Sequence, residues 1–133
     1  MQNQTTTNPA PGFIKYPTHK MVLGEANTEA KATVGNIVIA SSKTAIIVSE
    51  ADYPDAVYFP RKDVDMSKLV SSDTSSFCPF KGTANYWKLP PPLTKDAENI
   101  DICWSYSEPF DEAAAIGAYI AFYPNHVAVI YCQ

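Results

Sequence analysis

"TAIIVSEADYPDAVYFP" (44–60) reads as two short strands parted by a turn. Residues 44–50 form an apolar, β-branched run that ends on Glu50. Residues 56–60 form a second run, stopped by Pro60, which cannot donate to a ladder. The same grammar recurs outward in both directions. "KATVGNIVIAS" (31–41) is a hairpin, with Val34 and Ile37 flanking Gly35-Asn36, a dipeptide that tolerates the positive φ of a tight turn. "TANYWKL" (83–89) alternates with period two, and so does "IDICWSY" (100–106), which predicts a half-buried strand. "YIAFYP" (119–124) and "HVAVIYC" (126–132) are strands joined by a tight turn at Pro124-Asn125. Between these lie "RKDVDMSKL" (61–69), with one helical turn, and the polar loop "SSDTSS" (71–76). "PPPLTKDAEN" (90–99) is an extended, exposed connector. The best helix signal is near 111–117, where Asp111 is placed to cap, alanines favour helix and Gly117 stops it. The sum is a mainly β single domain of short strands, a sandwich or open barrel, with one short helix. Residues 1–12 read as a mobile polar tail, and 13–133 as the domain.

Composition narrows the function classes. The chain has 133 residues, 46% of them hydrophobic, which supplies a real core. A net charge of −4, with no basic stripe, makes a poor nucleic-acid binder. No apolar run approaches the roughly 20 residues of a membrane span, and the N-terminus has neither the basic nor the apolar region of a secretory signal. Cys78, Cys103 and Cys132 are odd in number and far apart, which argues for a reducing, cytoplasmic compartment over a disulfide framework. With only His19 and His126 beside them, no metal site is expected. No glycine-rich phosphate loop marks a cofactor, and none is expected.

Several residues carry candidate chemistry. Arg61, the only arginine, follows a strand-ending proline; it is either an anion anchor or pinned to a nearby carboxylate. Lys81 is a charge donor or proton carrier, or else a solvated surface lysine. Gly82 beside it meets a φ requirement or lets a ligand approach the backbone. Cys78 is a nucleophile only with a base nearby, and a buried free thiol is favoured. Glu50, leaving an apolar strand, acquires a raised pKa on this reading and serves as acid or base; its alternative is plain solvation. Tyr58, Tyr86, Trp104, Tyr106 and Tyr123 recur at strand positions and fill a core or line a pocket.

Taken in order, "AIIVSEADYPDAVYFPRKDV" (45–64), "SSFCPFKGTANYW" (75–87) and "CWSYSEPFDEAAAIGAYIAFYPNHVAV" (103–129) resemble the family catalogued as domain of unknown function 427. The resemblance covers roughly residues 16–131. It implies a small β fold of short antiparallel strands in a bent sandwich, similar to the Mss4-like or β-tent architecture, whose zinc-bearing members have paired CxxC motifs that this chain lacks. The family's nucleotidyltransferase-like label finds no Gly-Ser and paired-Asp apparatus here. The resemblance brings no agreed activity; it carries over positions, namely the site residues above together with Pro60.

Two functions are therefore expected to compete. In the first, a pocket at the strand ends binds a small molecule, anionic or carbonyl-bearing. Glu50 and Lys81 are then catalytic for proton transfer (isomerisation, cyclisation or hydration), and Tyr58, Arg61, Cys78, Gly82, Tyr86, Trp104, Tyr106 and Tyr123 bind the ligand. In the second, the domain is a non-catalytic interaction module. The sequence also allows a homodimer.

Overall fold

A computed structural model describes residues 7–26, 28–90 and 100–131. Ten strands are found among them: β1 (Met21–Glu25), β2 (Ala30–Val34), β3 (Ile37–Ser42), β4 (Ile46–Glu50), β5 (Ala56–Phe59), β6 (Val70–Cys78), β7 (Gly82–Lys88), β8 (Asp101–Ser105), β9 (Ile120–Phe122) and β10 (Ala128–Ile130). They form a seven-stranded sheet in the order β1-β4-β5-β9-β8-β7-β6 and a three-stranded sheet in the order β10-β2-β3. Every pairing is antiparallel. The fold is mainly β, as its short, turn-bounded runs require. No helix among the described residues is long and apolar enough to cross a membrane.

Period-two alternation gives the large sheet two apolar faces. On one, Ile47, Val57, Phe59, Ile120 and Phe122 pack against Ala30, Ala32, Ile39 and Ala40 of the small sheet. Small alanines on β2 and β3 let the sheets approach, and the large side chains opposite fill the gap. Phe59 is fully buried and meets Phe122 edge-on at 5.7 Å. Burying such a ring stabilises by roughly 1.5–3 kcal/mol. On the other face, Val48, Tyr58, Ala84, Tyr106 and Ala121 form a second cluster with Ala113 and Ile116. The last two come from a 3-10 helix, Asp111–Ile116, lying over this face.

Several expectations need correction. The "SSDTSS" segment is not a loop but the middle of β6. It is an edge strand paired only to β7, so its polar side chains remain largely exposed, and its register shifts between Ser71 and Ser75. β8 is more than half buried: Ile102, Cys103 and Ser105 are buried while Asp101 and Trp104 are partly so, because this is an interior strand of the sheet. β9 and β10 do follow one another through a turn at 124–126, but they lie in different sheets. The helix near 111–117 is 3-10 and broken at Ala113; Asp111 does not cap it, and the left-handed residue at its end is Ala118, not Gly117. Residues 91–99 of the proline connector, and Cys132, lie outside the described residues.

Part of the expected N-terminal tail is held against the domain. Residues 1–6 lie outside the described residues, but 8–12 are docked. Asn8 N–H donates to the Asp111 carboxylate at 2.7 Å, and Ala10 N–H to Glu112 at 2.8 Å. Gly12 N–H, at the start of the four-residue helix α1 (Gly12–Lys15), donates to the Pro79 carbonyl at 2.9 Å. A Cβ on Gly12 would meet the Phe80 ring at 2.7 Å and the Pro79 oxygen at 2.9 Å. Gly12→Ala is therefore expected to cost about 1–3 kcal/mol in urea denaturation, by forcing the arm off its seat. Gly24→Ala, where a Cβ meets nothing within 4 Å, is the control and should change little.

Candidate functional site

Pairing register builds one wall of a site directly from the sequence. Tyr58 on β5 pairs with Ala121 on β9, Ala121 with Trp104 on β8, and Trp104 with Tyr86 on β7. These four residues form a row across the sheet, all on the face away from the small sheet. Ala121 is the low point. Over it, Trp104 Nε1 donates to the Tyr58 hydroxyl at 3.0 Å, with the two rings edge-on. Trp104 also packs on Tyr123, centroids 4.6 Å apart. The Tyr86 hydroxyl bonds Ser76 at 2.7 Å.

In front of this row lies an open cavity of about 730 Å³. That is within the range of small-molecule sites. Its lining includes Tyr58, Tyr86, Trp104, Tyr106 and Tyr123, together with Glu50, Cys78 and Lys81. Eight of the ten residues expected at the site thus meet at one cavity.

The charged end is built by two strand ends. Glu50 closes β4, and the chain then turns sharply through Ala51, which takes a left-handed φ of 41°. Lys81 sits at the Cys78–Lys81 turn between β6 and β7, where Lys81 N–H donates to the Cys78 carbonyl at 3.3 Å. The Lys81 ammonium donates to Glu50 Oε1, and both side chains are nearly buried, at 10% and 12% exposed. His19 Nε2 lies 2.8 Å from the other carboxylate oxygen, Oε2. Burial alone would raise the Glu50 pKa, but hydrogen bonds and charge from Lys81 and His19 outweigh it and hold the carboxyl below its ordinary 4.5. The expectation of a raised value is thus reversed. An ionised carboxylate only accepts, so His19 Nε2 carries the hydrogen it donates.

His19 is the residue that the sequence did not reveal as part of a site. It arrives on the arm that leads into β1, stacked on Phe80 at 3.7 Å and nearly parallel. Ala51 N–H, donating to the Lys20 carbonyl at 2.9 Å, ties the arm down beside Glu50. No local pattern around His19 signals this, because the contact is made across 31 positions.

Two expected members are elsewhere. Arg61 does not line the cavity; its guanidinium lies over the Trp87 ring at 5.4 Å. Trp87 packs on the core between the sheets, the face opposite Tyr86, and the chain after Pro60 enters a short 3-10 turn, Arg61–Asp63. Asp63, the carboxylate near Arg61, accepts instead from the Ser42 hydroxyl at 2.6 Å. Gly82 serves the backbone: its φ is 127°, and a Cβ there would stand 3.4 Å from Pro109. Cys78 is half-buried at the cavity, whereas Cys103 is the fully buried thiol, its pKa pushed up to about 12 by burial.

Burial also raises the pKa of the Tyr58 and Tyr106 phenols, and that of Tyr123 to about 12. All three stay protonated at neutral pH and act as neutral hydrogen-bond groups. No three His, Cys, Asp or Glu among the described residues are grouped to hold a metal ion.

A family model described as a domain of unknown function (DUF427) matches residues 23–133, and the chain belongs to that family. No curated protein matches the chain. Glu50 and Lys81 fall inside the matched stretch, while His19 precedes it.

Proposed function

We propose that this DUF427-family chain binds a small planar molecule carrying an oxygen function, a carbonyl or an acid, and acts on it by proton transfer. The carrying observation is the convergence, at one cavity, of the Glu50–Lys81–His19 cluster with neutral tyrosine hydroxyls and the Trp104 wall. Aromatic walls favour a flat ligand. Lys81 has further N–H donors beyond the one given to Glu50, and the Tyr106 hydroxyl faces the same space. Polarising a carbonyl in this way is what isomerisation, cyclisation or hydration requires. The free thiols of Cys78 and Cys103 support a reducing, cytoplasmic setting.

The test is calorimetric titration of hydroxyaromatic ketones and acids into the protein, with Trp104 fluorescence as a second readout. Tyr106→Phe removes one donor and is expected to weaken binding about tenfold without loss of stability. Equal affinity for wild type and variant would remove Tyr106 from the site. No binding across the set would count against the small-molecule reading.

One observation favours the alternative, an interaction module of Mss4-like type. Val70 and Phe77 lie exposed on the edge strand β6. Edge strands are ready templates for pairing with a second chain or copy, although the register shift in β6 blunts this one. Sedimentation of wild type and Phe77→Ser decides it: a dimer lost in the variant favours the module.

A further inference from the structure

We infer that Glu50 is a built-in counter-ion that makes the cavity select a neutral carbonyl ligand over the carboxylate of the same skeleton. This rests on the small-molecule reading and chooses between its two ligand chemistries.

The charge that faces the cavity decides between them. Among the described residues that line it, the ionisable side chains besides the tyrosines are Glu50, Asp55, Lys81, His19 and Cys78. Lys81 is the one lysine or arginine among these described residues, and its ammonium is already joined to Glu50 in a pair that is nearly withdrawn from water. The chain's only arginine is turned to Trp87, off the cavity. Glu50 thus already holds both the lysine and the histidine of this lining. A ligand carboxylate would have to compete with Glu50 for Lys81 at close range, where two anions repel and solvent screens them weakly. The oxygens of Glu50 are no vacancy for it either: one is bonded by Lys81 and the other by His19.

A ketone oxygen faces none of this. It needs donors, not charge, and the cavity offers a second Lys81 N–H and the Tyr106 hydroxyl. The ion pair keeps its own neutrality while still presenting a strong donor. Glu50 therefore serves as a specificity-determining residue: it spends the positive charge that an acid would need and leaves the hydrogen bond that a ketone needs. The flat Tyr86 and Trp104 side chains, in register on adjacent strands, would hold the ring of such a ligand.

The test compares two near-isosteric probes, 4-hydroxyacetophenone and 4-hydroxybenzoate, by calorimetry at pH 7.5. Wild type is expected to bind the ketone about tenfold or more tightly than the acid. In Glu50→Gln the carboxamide keeps the shape and releases the Lys81 charge, so the acid should gain about tenfold and the order should reverse. An equal or higher affinity of wild type for the acid overturns the counter-ion assignment while leaving the small-molecule reading intact. So does an unchanged order in Glu50→Gln. Binding of neither probe by wild type tells against the reading on which the inference rests, and overturns both. The wild-type ratio decides even if the variant does not fold, because it requires no substitution.

Discussion

Replacing Lys81 by methionine is expected to cost about 3 kcal/mol of folding stability at pH 7. Methionine nearly matches the lysine stem, so the packing loss is small and the effect isolates the ammonium. What remains is Glu50, 12% exposed, with only His19 as its partner. Removing one member of a buried ion pair typically costs 3–5 kcal/mol, and the low end suits a pair that borders an open cavity. The pH dependence distinguishes this cause from simple misfit. In wild type the Glu50 pKa is lowered, so its contribution is whole above the ordinary 4.5 and is lost as the pH falls through the folded value. In the variant, burial acts against His19 alone, and the folded value moves up. The gap between the two proteins should thus be constant near neutrality and narrow on acidification, starting above 4.5. Urea denaturation at stepped pH measures it. The double variant Glu50→Gln with Lys81→Met should be more stable than Lys81→Met alone, since it carries no stranded charge. A loss below 1 kcal/mol, or a gap that does not change with pH, would mean that the pair is not buried as described.

The same pair shows what a single sequence reveals and what it hides. Glu50 was legible because it closes a strongly patterned strand, and Lys81 because it stands beside Gly82 in the loop before another, where a rigid scaffold presents side chains. Their partnership was not legible: it depends on β4 and the β6–β7 turn meeting across the sheet. The sign of the Glu50 shift followed from that partnership, so a reading from the apolar run alone erred toward burial. Arg61 failed for a related reason. A residue after Pro60 inherits no direction from the strand, and the 3-10 turn sends it to Trp87 on the opposite face. β6 was hidden by composition. Serine and threonine runs look like loop, but an edge strand with exposed sides requires only a partner's backbone, and β7 supplies it. The tyrosine and tryptophan row was legible residue by residue from period two, and only the register joined Tyr58, Ala121, Trp104 and Tyr86 into one wall.

That register makes Ala121 the position where a single substitution should do the most damage to the wall. Neighbouring strands are about 4.8 Å apart, so Tyr58 and Trp104, two strands distant, start roughly 10 Å from each other. Their side chains meet at 3.0 Å only by leaning over a residue with no more than a methyl group. Ala121 is fully buried. Ala121→Leu inserts three carbons into that space, must part the Tyr58–Trp104 hydrogen bond, and leaves a buried phenol oxygen without its donor. Overpacking costs about 1–3 kcal/mol and an unmade buried hydrogen bond about 1 kcal/mol more, so a loss near 3 kcal/mol is expected. In a Trp87→Phe background, the fluorescence of Trp104 should shift to the red as its indole loses the hydroxyl and meets water. Ala121→Gly separates crowding from chance: it should cost only about 1 kcal/mol through backbone freedom and leave the emission unchanged. If leucine is accepted with less than 0.5 kcal/mol lost and no shift, Tyr58 and Trp104 do not close over Ala121, and the cavity wall is not the one that the register builds.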